Sequence, residues 1–146
     1  MAVSLLQAMD AVLDRQTALF VARHAFAEYM IAHYTNVLGG TRPGSQERFD
    51  AFRRYYEAYA ECRDYIDIVD STAKLLRVRY RRCPFHDRLT ERRIGHFTAA
   101  FCESDRAFTE VCLPGVAFKR RHELATDGNP CDHEWTFGSG GSREGR

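Results

Sequence analysis

The sequence predicts an α+β fold in which N-terminal helices and two further helices pack on a four-stranded antiparallel sheet. Over residues 4–62, apolar residues recur every three to four positions, which is the period of amphipathic helices. Over residues 76–80 the pattern changes to strict alternation, which is typical of a half-buried strand. The strand-like segments come in adjacent pairs, and hairpins of this kind pair antiparallel.

Two helices are predicted at the N-terminus. The first is expected as one continuous helix over residues 4–38, ended by Gly39 and Gly40. After a turn at residues 41–44, Ser45 is a suitable N-cap for the second helix. The apolar stripe of this second helix consists of Phe49, Phe52, Tyr55, Tyr56, Tyr59 and Cys62.

The remaining elements follow a change of period near residue 65. Cys83 and Pro84 end the second strand, because proline cannot continue a strand ladder and favours the first turn of a helix. The predicted order is strands at 65–70 and 75–82, helices at 85–94 and 96–112, and strands at 116–124 and 131–137. We expect one domain over residues 1–137 and a flexible Gly/Ser-rich tail over residues 138–146.

The composition excludes several classes of protein. With 21 basic and 20 acidic residues the net charge is +1, so no strong overall attraction to nucleic acid or anionic membrane is expected. No apolar run is long enough to cross a bilayer. Asp10 interrupts the apolar N-terminus, which lacks the basic start of a signal peptide. Five cysteines, an odd number without a signal, indicate reduced thiols and a cytoplasmic location.

Cys102 and Asp105 are the strongest candidates for chemistry. They lie three residues apart on one predicted helix and therefore share a face. A thiol attacks an electrophilic carbon, and a neighbouring carboxyl group carries a proton. Because a carboxylate alone raises the pKa of a thiol, a cation is expected nearby, either Arg106 or His96. The alternative is a buried structural Cys102 beside a solvated Asp105.

A zinc site is a second possibility. Cys83, Cys102 and Cys131 can converge with Asp105 or a histidine in a tetrahedral set. The histidines in question are His86 and His133. These spacings match no standard zinc finger.

Other residues have both structural and functional interpretations. His24 lies with Phe20, Ala27 and Ile31 on the predicted inward stripe, as a core histidine or an acid/base group. The basic segment 74–93 is a solvated face or an anion site near Cys83. The tyrosines between residues 55 and 65 are expected in the core rather than as a stacking platform.

Four motifs in the C-terminal half, taken in order, resemble the pattern of one family, the L-2-amino-thiazoline-4-carboxylic acid hydrolases. The motifs are Cys83-Pro84, Cys102-Glu103-Ser104-Asp105, Leu113-Pro114-Gly115 and Gly128-Asn129-Pro130-Cys131-Asp132-His133. The resemblance covers residues 65–137. After the last cysteine, this chain has Asp132, His133 and Glu134 where the pattern leads us to expect an aromatic residue.

The resemblance implies a hydrolase that opens a cyclic amidine or thiazoline ring in bacterial amino-acid or secondary metabolism. Either Cys102 adds to the ring carbon between nitrogen and sulfur, or water adds with Asp105 as general base. Asp105 or a histidine then protonates the leaving sulfur. We expect a catalytic set of Cys102, Asp105 and His24, and a substrate-binding set of Cys83, Cys131, His96 and Arg106.

The expected ligand is a small heterocycle that bears a carboxylate, with no cofactor, no nucleic acid and no membrane. A homodimer is expected through the long first helix. The competing class is a non-catalytic ligand-binding module that resembles the 4-vinyl reductase sensor domains. In that class Cys83, Cys102 and Cys131 hold a zinc ion.

Overall fold

Over residues 2–138, three helices come first in the chain, and the four strands follow in two pairs that are separated by two further helices. The computed structural model describes residues 2–138, so the predicted tail lies outside the described residues except for Gly138. Within this range the helices are α1 (Ala2–Val12), α2 (Arg15–Val37), α3 (Gln46–Glu61), α4 (Pro84–Glu91), α5 (Phe97–Cys112) and α6 (Leu124–Asp127). The strands are β1 (Ile66–Thr72), β2 (Leu75–Tyr80), β3 (Val116–Arg120) and β4 (Cys131–Phe137).

The predicted single helix over residues 4–38 is wrong, because the chain breaks at Asp14. Asp14 has an extended backbone, with φ −63° and ψ 152°, and its side chain accepts hydrogen bonds from the backbone N–H groups of Gln16 and Thr17. An aspartate in this conformation caps the start of a helix and cannot continue the one before it. The apolar periodicity runs through the break, so periodicity alone predicts one helix.

The starts of α3 and α4 agree with the predicted cap at Ser45 and the predicted first-turn proline at Pro84. The Ser45 side chain accepts from the backbone N–H of Arg48, which confirms Ser45 as the N-cap of α3. Cys83 is the N-cap of α4 and Pro84 its first residue. The predicted strand over residues 116–124 is too long, since β3 ends at Arg120 and Leu124 starts the short helix α6. Gly128, with φ 71°, ends α6 in the left-handed conformation that glycine tolerates.

The sheet is antiparallel with the strand order β1-β2-β4-β3, and the α+β class is confirmed. One face is apolar: Leu76, Val78 and Trp135 are fully buried there. On the opposite face, arginines of β2 pair with acidic residues of β4. Arg77 Nη2 lies 2.8 Å from Glu134 Oε2, and Arg79 Nε lies 2.8 Å from Asp132 Oδ1. The helices therefore cover one face of the sheet, as predicted.

Two hydrophobic clusters hold the helices in place. The larger joins α2, α3 and α5 to the apolar face of the sheet around Trp135. The smaller lies around Leu6, Leu89 and Phe97, where α1, α2, α4 and α5 meet. In the described residues, no helix is long and apolar enough to cross a membrane.

Candidate active site

A cavity of about 420 Å³ opens between α2, α3 and α5 and the ends of β2 and β4. It brings together Cys83, Cys102, Asp105 and Cys131, which the sequence places in three separate motifs. Cys102 and Asp105 both face the cavity from α5, as their spacing of three predicts. Whether these residues act in catalysis stays a prediction.

The register of the sheet explains why Cys83 and Cys131 meet. Tyr80, at the end of β2, pairs with Cys131, at the start of β4, so the residues that follow Tyr80 lie beside Cys131. Backbone N–H groups hold both thiols: Cys83 Sγ accepts from His86 at 3.4 Å, and Cys131 Sγ accepts from Leu124 at 3.2 Å. Burial raises the pKa of both thiols.

Asp105 has an environment suited to holding a proton near neutral pH. Burial raises its pKa from 3.8 to about 7, opposed by the positive charge of Arg120 and assisted by the negative charge of Glu123. Arg120 donates from Nη1 to Asp105 Oδ2 at 3.3 Å and to the Cys102 carbonyl oxygen at 2.9 Å. A general acid or base works best when its pKa lies near the operating pH.

Cys102 is a half-buried thiol with a carboxyl partner. It forms a hydrogen bond with Glu123, and burial, together with this bond, raises the pKa of the thiol well above its ordinary value. Glu123 Oε1 also lies 3.8 Å from Arg120 Nη2. Cys102 is therefore a protonated thiol at neutral pH, and its attack requires a base to remove the proton in the same step.

His133 is the least satisfied polar side chain at the site. It is 6% exposed, and neither ring nitrogen has a hydrogen-bond partner among the described residues. Its Nδ1 lies 3.8 Å from Asp105 Oδ2, beyond hydrogen-bonding distance. Burial lowers the pKa of His133 to about 3, helped by the charge of Arg120. A neutral imidazole with two unpartnered nitrogens inside a cavity is available to bind a ligand.

Tyrosine forms most of the remaining wall. All seven tyrosines of the chain line the cavity: Tyr29, Tyr34, Tyr55, Tyr56, Tyr59, Tyr65 and Tyr80. Several of their hydroxyl groups bond to one another, with Tyr34 donating to Tyr56 at 3.0 Å and Tyr59 lying 2.6 Å from Tyr65. Tyr56 is a core residue as predicted, but it and its neighbours also form a lining surface.

Three of the predicted site residues lie elsewhere. His24 is exposed, not on the inward stripe, and its Nδ1 lies 3.0 Å from the Phe20 carbonyl oxygen. His96 Nε2 lies 2.8 Å from Asp10 Oδ1 of α1. Arg106 is exposed. None of the three lines the cavity. The cation beside Asp105 is instead Arg120 of β3.

The predicted zinc ligands divide in the same way. Cys83, Cys102 and Cys131 share the cavity with His133, whereas His86 Nδ1 lies 3.1 Å from the Thr98 hydroxyl. Between residues 2 and 138, no three histidine, cysteine, aspartate or glutamate side chains are grouped so as to hold a metal ion. The zinc site stays a prediction, which measurement of the zinc content of the purified protein would test.

Sequence reasoning missed Arg120 and Glu123. Both lie in a predicted strand between two motifs, where charged residues are ordinary. The register pairs Arg120 with His133, which brings it beside Asp105, behind the cavity wall. The tyrosine lining could have been predicted, because all seven tyrosines fall between residues 29 and 80 and are therefore concentrated in neighbouring elements.

The fold and this cavity, which is lined by a thiol, an aspartate and a histidine, define a small α+β protein with a helix-on-sheet architecture and a largely aromatic cavity. The sequence matches the family of L-2-amino-thiazoline-4-carboxylic acid hydrolases over residues 1–135, and the chain belongs to this family. The match includes the N-terminal helices as well as all four motifs of the C-terminal half. No curated protein and no solved structure matches the chain significantly.

Proposed function

We propose that the protein is a cytoplasmic bacterial hydrolase that opens a cyclic amidine ring of the thiazoline type. The observation that carries this proposal is the arrangement around Cys102 and Asp105. One helix face presents a thiol and a carboxyl group to a single cavity, with Glu123 bonded to the thiol and Arg120 bonded to the carboxyl group. The family name supports a hydrolase.

In the first step, the Cys102 sulfur adds to the ring carbon between nitrogen and sulfur while Glu123 takes the thiol proton. Asp105, which holds a proton near neutral pH, gives it to the ring nitrogen as the carbon–nitrogen double bond becomes single. The adduct collapses when the carbon–sulfur bond of the ring breaks. The ring sulfur takes the proton from Glu123, and the ring nitrogen returns its proton to Asp105.

The ring-opened adduct is a thioimidate-type ester on Cys102. Water adds to the same carbon, and Cys102 leaves as a thiol, so the net reaction consumes one water and yields a carbamoyl group and a free thiol. The neutral His133 ring, which has no hydrogen-bond partner between residues 2 and 138, binds the amidine nitrogens throughout. Oriented donors and acceptors of this kind lower the barrier because they need no reorganisation during the reaction.

Turnover of cyclic amidines tests the proposal. With 2-amino-thiazoline-4-carboxylate and related rings as probes, we expect Cys102→Ser and Asp105→Asn each to lower kcat by about a hundred- to ten-thousand-fold, the range typical of acid–base groups. Mass spectrometry of the product should show the addition of one water, and the intact protein should show the adduct on Cys102.

Cys62→Ser is the matched control, because Cys62 is exposed and lies outside the cavity. Its turnover should equal that of the wild type. Cys102→Ser turning over at the wild-type rate would mean that water attacks the ring directly. If no variant and no wild-type protein opens any cyclic amidine, and the purified untagged protein contains stoichiometric zinc, the ligand-binding module replaces the hydrolase.

A further inference from the structure

The cavity is larger and less charged than a small ring with a carboxylate requires. Its volume of about 420 Å³ falls in the range of about 300–1,000 Å³ that holds drug-sized ligands. The groups that react with the amidine occupy one part of it, around Cys102, Asp105 and His133. The rest is bounded by aromatic side chains, which leaves room for a substituent beyond the reacting ring.

No lysine or arginine among the residues in the described range lines this cavity. Arg120, a partly buried cation, is bonded to Asp105 and to the Cys102 carbonyl oxygen and lies beside Glu123. The positive charge of Arg120 is therefore paired with the carboxyl groups of Asp105 and Glu123. A substrate carboxylate held beside Cys102, Asp105 and His133 would lose its water without gaining a cation, which is costly.

The tyrosine wall offers aromatic faces in place of charge. Burial raises the pKa of Tyr34, Tyr56 and Tyr80, so these hydroxyl groups stay neutral. At the exposed side, Tyr29 is 65% exposed and its ring is stacked with that of His33 at 6.4 Å. Tyr55 and Tyr59 are stacked at 6.2 Å on α3. Flat aromatic ligands pack favourably against such rings.

We propose that the substrate is a cyclic amidine that carries an uncharged aromatic group in place of the carboxylate, with this group held between α2 and α3 against Tyr29, Tyr55 and Tyr59. The inference rests on the proposed function for the position of the amidine ring. It differs from the small anionic substrate in the family name by the size, charge and stacking capacity of the substituent.

Binding of two matched probes tests this substrate class. The probes are 2-amino-2-thiazolines with either a phenyl group or a carboxylate on the ring carbon next to nitrogen. Calorimetry on Cys102→Ala, which cannot form the adduct, gives Kd without turnover. We expect the phenyl compound to bind roughly tenfold or more tightly than the carboxylate, from aromatic packing and the absence of a desolvated charge.

Variants on α2 locate the aromatic group, each made in the Cys102→Ala background. Tyr29→Ala should weaken the phenyl compound severalfold and leave the carboxylate unchanged. Because Tyr29 is mostly exposed, this change should not affect folding. Phe20→Ala is the matched control, since Phe20 is 61% exposed on the same helix but lies outside the cavity. Equal effects of the two substitutions would contradict the proposed position.

The result that overturns the inference is tighter binding of the carboxylate. Arg63, whose guanidinium carbon lies 5.1 Å from the centre of the Tyr59 ring, would then be the anchor, and Arg63→Met would weaken the carboxylate alone. Failure of both probes to bind also overturns it. Wild-type turnover separates the two proposals: phenyl binding without hydrolysis contradicts the hydrolase only, whereas hydrolysis with a preference for the carboxylate contradicts the aromatic substituent only.

Discussion

At the scale of single residues, the protonation of the site is set by burial more than by charge. Asp105, Cys102 and His133 are all shifted toward their neutral forms. Arg120 opposes this shift for the two acids and reinforces it for the histidine. The result is a site that holds few charges at neutral pH although it contains many ionisable groups, which suits proton transfer better than binding of an anion.

The raised pKa of Asp105 predicts a particular dependence of stability on pH. The pKa is 3.8 in the unfolded chain and about 7 in the folded protein, so folding favours the protonated form. The contribution of Asp105 to the free energy of unfolding is fully present below the unfolded-state pKa of 3.8. It is lost as the pH rises toward the folded-state pKa of about 7. We expect Asp105→Asn to gain stability relative to the wild type over this range, as measured by urea unfolding at several pH values.

Asp132→Asn is the matched control for that series. Arg79 lowers the pKa of Asp132 through a hydrogen bond, so its contribution is lost only as pH falls below the ordinary range of aspartate. The difference between wild type and Asp132→Asn should stay constant as the pH rises toward neutrality. A constant difference for Asp105→Asn as well would show that Asp105 is ionised throughout.

At the scale of elements, the starts of helices fix the positions of the site residues. Asp14 separates α1 from α2, and α2 contacts both α3 and α5. Cys83 caps α4 where the chain leaves β2. His96, at the start of α5, has no side-chain capping bond, and its ring pairs with Asp10 instead. The starts at Asp14 and Cys83 depend on bonds to residues two or three positions further on, whereas the His96 ring meets Asp10 of α1 across the fold.

Substitution of Cys83 tests its role as a cap. A hydroxyl oxygen accepts a backbone hydrogen bond better than a thiol, and serine is among the preferred N-cap residues. We therefore expect Cys83→Ser to retain α4, and Cys83→Ala to be less stable than Cys83→Ser by about 1 kcal/mol in free energy of unfolding. Chemical denaturation followed by circular dichroism measures the difference. Equal stability of the two variants would show that the thiol contributes packing only.

At the scale of the whole molecule, two hydrophobic clusters share α2 and α5. The larger one covers the sheet and the smaller one covers α1 and α4. The cavity lies beside the larger cluster, at the end of the sheet where β2 ends and β4 begins. The α1 helix is the outermost layer, and it leaves Leu5 62% exposed and Val12 78% exposed.

The exposed residues of α1 bear on the homodimer predicted from the sequence. Leu5 and Val12 lie seven residues apart and therefore on one helix face, and exposed apolar surface of this kind often marks an interface. We expect the wild type to sediment as a dimer at micromolar concentration and Val12→Glu to shift it to the monomer. Val111→Glu, a 59% exposed position on α5, should have no effect. A wild-type protein that is only monomeric contradicts the prediction.

The local pattern determined most of the secondary structure. Alternation at residues 76–80, the cap at Ser45, the proline at the start of α4, and the breaks after α3 and α5 each depend on neighbours in the chain, so they were predicted within a few residues. The break at Asp14 was missed because the apolar periodicity continues through it and does not depend on the backbone conformation of a single residue. The end of β3 was missed because residues 121–124 contain no glycine or proline that would mark the end of a strand.

The sequence by itself determined the α+β class, the antiparallel sheet, the pairing of Cys102 with Asp105 on one helix face, and the family. Only the tertiary structure decided which cation stands beside Asp105, that Glu123 contacts the Cys102 thiol, and that every tyrosine faces one cavity. The physical reason is the separation in sequence between the residues that interact. Helix faces and turns follow from residues a few positions apart, whereas Arg120 meets Asp105 and His133 through packing of α5 on the sheet and through the register of β3 with β4.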